Sequence, residues 1–247
     1  MLIRLGYSQQ MWLEGVKQPF IWNTNKVPHT MISGITGGGK TVLSQILVNQ
    51  LLKSDCEISI CDFKAGGDWN GIVDRYAEYL DCDVLLNAFY DDFCDTISCK
   101  GHKESFLVFD EFSSYALSKD SKEQKDMLAK VSHIAFMGRS FGYHLIFISQ
   151  QFNAKVIDTA IREQFGIKIY MGSTISTESA TMLFPNADID KSVHLPRFCG
   201  YISTPESDGF EIIQIPYVEQ PSRLKDLLIY NGKTYSKRDY DQAGPWA

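Results

Sequence analysis

One short segment of the sequence has glycines, a lysine and a threonine spaced as a polyphosphate-binding loop requires. Residues 34–41 read GITGGGKT; they follow the apolar run 30–33 and precede a helical pattern. Glycines let backbone N–H groups converge on a phosphate, and the helix N-terminus adds its dipole. In such a loop Lys40 bridges the β- and γ-phosphates and the Thr41 hydroxyl ligates Mg²⁺. The segment predicts a nucleotide site with contacts from Gly34, Thr36, Gly37, Gly38, Gly39, Lys40, Thr41 and Val42.

Two adjacent carboxylates end a second apolar run. Residues 106–109 read FLVF, and Asp110 and Glu111 follow. At the carboxyl end of a buried strand, the first acid can hold the Mg²⁺ shell and the second can activate water as a general base. We therefore predict Asp110 as a metal ligand and Glu111 as a catalytic base. The apolar run 57–62 lies between the two motifs, which favours additional-strand P-loop NTPases over a Ras-like or kinase-like arrangement.

Two further polar side chains at the ends of predicted elements are candidates for contact with the γ-phosphate. The apolar run 144–149 leads into Gln150, which could hydrogen-bond the γ-phosphate or the attacking water. A loop glutamine without a catalytic role fits the local sequence equally well. Arg139 ends a long helical pattern and is a candidate arginine finger for a neighbouring subunit. A cation that offsets the dipole at a helix C-terminus explains the same residue.

The order of the elements that must position these residues predicts the fold class. Apolar runs alternate with helical patterns, which implies an α/β fold with a mainly parallel sheet and helices on both faces. Ligands then bind at the carboxyl ends of the strands. The predicted strands are 30–33, 57–62, 105–110, 143–149 and 167–171, and the predicted helices are 40–52, 84–97, 121–139 and 154–164.

Both ends of the chain depart from this alternation. Short strands at 2–7 and 19–22 predict a small β lead-in over residues 1–28, packed on a core at 29–220. A further strand is predicted at 210–216. Residues 221–247 form the predicted C-terminal tail, whose segment 230–247 is polar, rich in tyrosine and without periodicity. A loosely attached terminus fits this tail better than an anchor for a partner.

The composition is that of a folded globular chain. Of 247 residues, 44% are hydrophobic and 22% charged, and the net charge of −6 argues against binding nucleic acid by bulk charge alone. The six cysteines form no CxxC pair and the five histidines no HExxH, so free thiols and structural histidines are expected. No run approaches the roughly 18 apolar residues of a membrane span. A cytoplasmic location is expected, with recruitment to a membrane or capsid complex left open.

The motifs together resemble the FtsK/SpoIIIE–HerA family of DNA-pumping ATPases, which includes conjugative coupling proteins. The resemblance covers roughly residues 3–218 and rests on PHTMISG at 28–34, DFK at 62–64, FDEF at 109–112, GRSFGYHLI at 138–146 and SQQ at 149–151. It implies a RecA-like core in a ring, usually a hexamer, with ATP and Mg²⁺ at subunit interfaces and double-stranded DNA in the pore. It also implies that Gln150 is catalytic and that Arg139 reaches a neighbour's nucleotide.

Several positions depart from the family's pattern and suggest a divergent branch. Phe63 stands where proline is usual, Gln151 and Phe152 stand where Arg-Pro is common, and Ala180 stands where arginine is frequent. The sequence also has too few residues after the core for the DNA-reading winged helix of the chromosome-segregation members, and none of their membrane segments.

We expect an ATP-dependent DNA translocase that serves conjugative transfer or another mobile-element or phage process. Its partner would be a relaxase, a portal or a secretion-channel protein. The alternatives are a viral genome-packaging ATPase, an ATPase that drives protein secretion, and a module that binds ATP only to assemble a scaffold. Lys64 and the glycine-rich segment 65–70 are candidate pore residues, although a solvated turn fits that segment better.

Overall fold

The computed structural model of the chain describes residues 1–185, 187–218 and 220–242, which form one ten-stranded sheet and eight α-helices. The strands are β1 Leu2–Ser8, β2 Pro19–Asn23, β3 Thr30–Gly34, β4 Glu57–Asp62, β5 Arg75–Glu78, β6 Ser105–Asp110, β7 Tyr143–Ser149, β8 Ile167–Met171, β9 Cys199–Ser203 and β10 Glu211–Gln214. The helices are α1 Gln9–Leu13, α2 Lys40–Leu51, α3 Cys82–Ser98, α4 Phe112–Leu117, α5 Ser121–Phe141, α6 Thr159–Glu163, α7 Thr177–Leu183 and α8 Pro221–Gln242. Within this part of the chain, no helix combines the length and apolar character needed to cross a bilayer.

The sheet has a parallel part and an antiparallel edge. Its strand order is β2-β1-β10-β9-β8-β3-β7-β6-β4-β5. The six strands from β8 to β5 are parallel, whereas β9, β10, β1 and β2 continue the sheet antiparallel. The predicted mainly parallel α/β fold is therefore confirmed. The N-terminal strands extend the main sheet through β10, and β7 lies between the strand that enters the glycine-rich loop and the strand that ends in the two acids.

Alternate residues of the central strands enter two separate cores because both faces of a parallel sheet are covered by helices. On β6, Phe109 packs with the cluster on the α3–α5 face, and its neighbour Val108 packs with the cluster on the α2 face. Phe147 and Ile148 of β7 divide in the same way. With both faces buried, these strands read as continuous apolar runs, which is why the sequence predicted them closely.

The last turn of α5 lies close to the start of β7, and Gly142, with a left-handed backbone, ends the helix. A Cβ on Gly138 would lie 2.5 Å from the Tyr143 carbonyl oxygen, so no larger residue fits there without a shift. The N-terminus of α5 is closed by a capping box, in which the Asp120 side chain accepts from backbone N–H groups and the Glu123 side chain accepts from the Asp120 N–H. The helix thereby begins and ends at defined residues and carries Arg139 in its last turn.

The C-terminal helix α8 corrects the prediction that segment 230–247 is aperiodic, which is wrong over residues 230–242. Leu224, Leu228 and Asn231 follow one another at helical spacing, and Leu228 is fully buried in the core on the α2 face. The Asn231 side-chain amide donates to Asn49 Oδ1 at 2.6 Å, which joins α8 to α2. The remainder of the predicted tail, residues 243–247, lies outside the described residues. The division into lead-in, core and tail stays a prediction.

The predicted helix at 154–164 is also wrong over its first residues. The Asn153 carbonyl accepts from the N–H groups of Val156 and Ile157, and its side chain caps the same turn. Asp158 then accepts from the Ile161 N–H and starts the short helix α6. These side chains compete with the helix for backbone partners. Sequence reasoning did not predict α1, β5, α4, α7 or β9.

Candidate nucleotide-binding site

The glycine-rich loop joins the end of β3 to the start of α2. The loop tip at residues 35–37 is exposed, and Lys40 and Thr41 lie in the first turn of the helix. Lys40 Nζ donates to the carbonyl oxygens of Gly34 at 2.6 Å and Ile35 at 3.1 Å. Partial burial lowers the pKa of the Lys40 ammonium, while Glu111 and Asp110 act in the opposite direction. The ammonium is therefore held over the loop and faces two carboxylates.

A glycine is required in the loop by the carbonyl of Met171 at the end of β8. A Cβ on Gly38 would overlap the Met171 carbonyl oxygen, which is backbone and cannot rotate away. The same oxygen lies against Gly34. The end of β8 thus lies directly against the loop. A side chain at position 34 or 38 would displace the loop.

The two predicted acids lie at the end of β6 and have different surroundings. Asp110 Oδ1 accepts from the Glu111 N–H at 3.0 Å, and Asp110 Oδ2 accepts from the Trp69 indole N–H at 2.8 Å. Burial raises the pKa of Asp110 to about 6, helped by the negative charges of Asp62 and Glu111 and opposed by the Trp69 hydrogen bond. Glu111 has a left-handed backbone with φ of 57° and precedes α4.

Gln150 connects the glycine-rich loop to Glu111. Its carbonyl oxygen accepts from Ser33 Oγ at 2.9 Å and from the Gly34 N–H at 3.3 Å. Its side-chain amide donates to Glu111 Oε1 at 3.4 Å. The structure therefore brings together the loop, Gln150, Glu111 and Asp110, although they come from three separate strands.

A third carboxylate, Asp62, lies beside Asp110. The two residues are paired across β4 and β6, and Asp62 is buried. Burial raises the pKa of Asp62, while N–H groups of Gly66 and Ala65 stabilise its charged form. Asp62 and Asp110 therefore place two neighbouring carboxylates at the same edge of the sheet.

Arg139 does not join this cluster. It is exposed near the amino ends of the parallel strands, in a cleft that also contains Lys26 and Glu163. The glycine-rich loop lies at the carboxyl ends, on the other edge of the sheet. Within one chain Arg139 does not reach the loop, so a finger role requires a neighbouring subunit.

The donor set fits a magnesium ion held together with a nucleotide. Mg²⁺ prefers oxygen ligands and is usually bound through one or two protein groups plus phosphates and water. The Thr41 hydroxyl and the Asp110 carboxylate supply such oxygens. Of the two Asp110 oxygens, one accepts the Glu111 N–H and the other the Trp69 indole N–H. Among the described residues, no group of three or more His, Cys, Asp or Glu could hold a metal without the nucleotide.

Sequence reasoning missed Trp69. This side chain is completely buried, whereas residues 65, 66, 68 and 70 around it are exposed. The pore role of Lys64 and segment 65–70 stays a prediction. The sequence offered only one sign of the role of Trp69, a single tryptophan in a loop rich in Gly and Asp after the end of a strand. Such a loop has no periodicity from which burial could be predicted. The cysteines follow the prediction: all six are free thiols.

Comparison with known proteins finds a relative in sequence and solved structures with a similar fold. No protein-family model matches the chain. The chain is 26% identical over 192 residues to the FtsK domain-containing protein YdcQ of Bacillus subtilis (strain 168), an alignment that covers 69% of this chain. It covers 39% of YdcQ, so this chain spans well under half of that relative's length.

Two solved structures share the fold. The conjugation coupling protein TcpA of pCW3, in its monomer form with ATPγS, has a TM-score of 0.71 at 18% identity, covering 92% of this chain and 70% of TcpA. The cytoplasmic domain of the Type VII secretion ATPase EccC of Thermomonospora curvata has a TM-score of 0.69 at 18% identity, covering 94% of this chain and 31% of that domain. Both likenesses support a RecA-like core. The chain is thus similar in sequence to an FtsK domain-containing protein and has the fold of a RecA-like P-loop ATPase.

Proposed function

We propose that the chain hydrolyses ATP with Mg²⁺ to translocate double-stranded DNA in conjugative transfer or another mobile-element or phage process. It would work in the cytoplasm as a ring, which we expect to be a hexamer. The main support for ATP hydrolysis is the hydrogen-bonded connection from the loop through Gln150 to Glu111. The DNA substrate is inferred from the similarity to a conjugation coupling protein.

The proposed chemistry assigns one task to each side chain. The loop N–H groups and Lys40 hold the β- and γ-phosphates, and Glu111 accepts the proton of the attacking water. Thr41 and Asp110 would hold Mg²⁺, which would supply positive charge against the phosphates. Gln150 contacts Glu111 with its side chain and the loop with its carbonyl, so loss of the γ-phosphate can change both contacts together.

Arg139 would act between subunits. A guanidinium presented to a neighbour's γ-phosphate stabilises the charge that develops in the transition state. The exposure of Arg139 on the edge opposite the loop supports this geometry, since one subunit would then present the finger and the next the nucleotide.

Steady-state ATP hydrolysis tests the proposal. It is measured at fixed low salt with duplex DNA, with single-stranded DNA and without nucleic acid. Lys40→Ala is the blank, and Glu111→Gln is the matched control that still binds ATP but hydrolyses it roughly 10²- to 10⁴-fold more slowly. Stimulation by duplex DNA is expected. Equal rates under all three conditions, at concentrations where the chain is shown to be oligomeric, would refute a DNA motor.

Protein secretion is the second candidate function, because the chain also resembles a Type VII secretion ATPase in fold. Stimulation by a secreted peptide in place of DNA would favour it. Binding to a portal protein would instead favour genome packaging, which shares the same hydrolysis chemistry.

A further inference from the structure

The Asp110 carboxylate is held on both oxygens by the protein itself. One oxygen accepts from the backbone N–H of Glu111, the next residue of the chain. The other accepts from the indole N–H of Trp69, which lies 41 residues earlier, at 2.8 Å. Two donors in fixed positions determine the rotation of a carboxylate about its last bond. The orientation of this candidate metal ligand therefore depends on a side chain outside the recognised motifs.

Trp69 is itself held firmly in place. Its exposed fraction is 0%, and it packs in the core on the α2 face with Leu43 and Leu47 of α2 and Leu228 of α8. An indole N–H buried this deeply needs a hydrogen-bond partner. A carboxylate is the strongest acceptor it could have.

The loop that carries Trp69 is fastened from two helices. Gln45 of α2 donates to the Asp68 carbonyl oxygen at 3.1 Å, and Lys225 of α8 donates to the Gly67 carbonyl oxygen. Beyond the tryptophan, Gly232 of α8 approaches Ile72 so closely that no Cβ would fit. A continuous set of contacts therefore runs from α8 through the loop to Asp110.

We propose that Trp69 is a positioning residue for Mg²⁺ binding: its indole N–H orients the Asp110 carboxylate, and α8 keeps the loop of Trp69 in place. This inference rests on ATP and Mg²⁺ binding at the glycine-rich loop, and it does not depend on DNA. Hydrogen-bond partners of metal ligands typically change metal affinity by 10- to 100-fold when they are removed.

The test compares two tryptophans. Trp69→Phe removes the donor to Asp110 and keeps an aromatic ring. Trp22→Phe is the matched control, because Trp22 is also fully buried and its indole N–H donates to a backbone carbonyl, that of Val27, at 2.6 Å. Calorimetric binding of a non-hydrolysable ATP analogue is measured over a range of Mg²⁺ concentrations.

The expected result is specific to the metal. In Trp69→Phe the Mg²⁺ concentration for half-maximal tight binding rises by about 10- to 100-fold. The affinity for the analogue without Mg²⁺ stays unchanged, as does the whole Mg²⁺ dependence of Trp22→Phe. If Trp69 had only a structural role, the substitution would weaken analogue binding with and without Mg²⁺ to the same extent, or would change neither.

A spectroscopic readout covers the case in which Trp69→Phe folds poorly. The chain has four tryptophans, and 5-fluorotryptophan labelling with Trp→Phe substitution at the other three positions assigns the Trp69 signal by elimination. Adding Mg²⁺ to the complex of the unsubstituted chain with the analogue should shift the ¹⁹F signal of Trp69 and leave that of Trp22 in place.

Two results would overturn the inference. Equal Mg²⁺ dependence of Trp69→Phe and Trp22→Phe would reduce Trp69 to a core residue, and an unmoved ¹⁹F signal would do the same. If the unsubstituted chain binds the analogue with no dependence on Mg²⁺, the proposed hydrolysis chemistry is refuted together with this inference. That outcome differs from missing DNA stimulation, which would leave the role of Trp69 intact.

Discussion

Acidification should destabilise this fold through one buried histidine. The His29 ring lies at the start of β3, where Nδ1 accepts from the Leu145 N–H at 3.0 Å. A backbone N–H can only donate, so the proton of the neutral ring is on Nε2, which donates to the Ala135 carbonyl oxygen at 3.1 Å. Protonation would remove the acceptor for Leu145 and place a charge in the core. Neither Phe165, whose ring packs against the imidazole at a tilt of 48°, nor His144 supplies a compensating negative charge.

The size of the effect follows from the pKa of His29. Burial, assisted by the nearby His144, lowers it from 6.5 to about 3. Below pH 6.5 the unfolded chain takes up a proton that the folded chain refuses until about pH 3, so stability falls as the pH falls through this window. At pH 5 the loss of free energy of unfolding is about 2 kcal/mol, whereas at pH 7 it is close to zero.

Urea unfolding at pH 7 and pH 5, followed by circular dichroism, measures this loss. His29→Asn keeps a side-chain acceptor for the Leu145 N–H and cannot be protonated. Whatever its stability at pH 7, this variant should lose about 2 kcal/mol less than the unsubstituted chain on going to pH 5. The exposed His194 provides the matched control, and His194→Gln should keep the original pH dependence.

Two results would refute the reasoning. One is an equal loss of stability in His29→Asn and in the unsubstituted chain. The other is an NMR titration in which the His29 ring of the folded protein takes up its proton near pH 6.5.

Two further predictions concern the end of α5. Arg139→Ala should still bind ATP and oligomerise but hydrolyse roughly 10³-fold more slowly. Mixing it with Lys40→Ala should restore part of the rate, since each variant supplies what the other lacks; a wild-type rate for Arg139→Ala alone would exclude the finger. Gly138→Ala should lose about 1–3 kcal/mol in urea unfolding, although alanine normally favours a helix, because its Cβ would lie 2.5 Å from the Tyr143 carbonyl. Lys125→Ala, exposed on the same helix, is the control, and a stabilised Gly138→Ala would contradict the packing argument.

Local patterns in the sequence were sufficient for the loop, the central strands and the acidic strand end. Their signals lie within a few consecutive residues: apolar runs for strands buried on both faces, and glycines where the backbone must approach a phosphate or a neighbouring carbonyl. The fold class and the ATPase type were predicted on this basis. The catalytic and metal-binding roles of the individual residues stay predictions.

Other local signals misled or were too weak. The stretch 154–158 has helical spacing, but the Asn153 and Asp158 side chains take the backbone partners that a helix would use. In α8, Leu224 and Leu228 are spaced as one helical face, but polar and aromatic residues surround them, and the helix forms where that face meets α2. Packing against α2, rather than local helix propensity, therefore stabilises α8.

Only the tertiary structure decided which distant residues meet. The sequence determined that Asp110 ends a strand, but one of the two donors to its carboxylate comes from Trp69, on a loop held by two helices. Likewise, Arg139 ends a helix in the sequence, and only the sheet's strand directions place it on the edge opposite the loop. Such relations depend on how elements pack across many residues of chain, and no local pattern of residue types records that geometry.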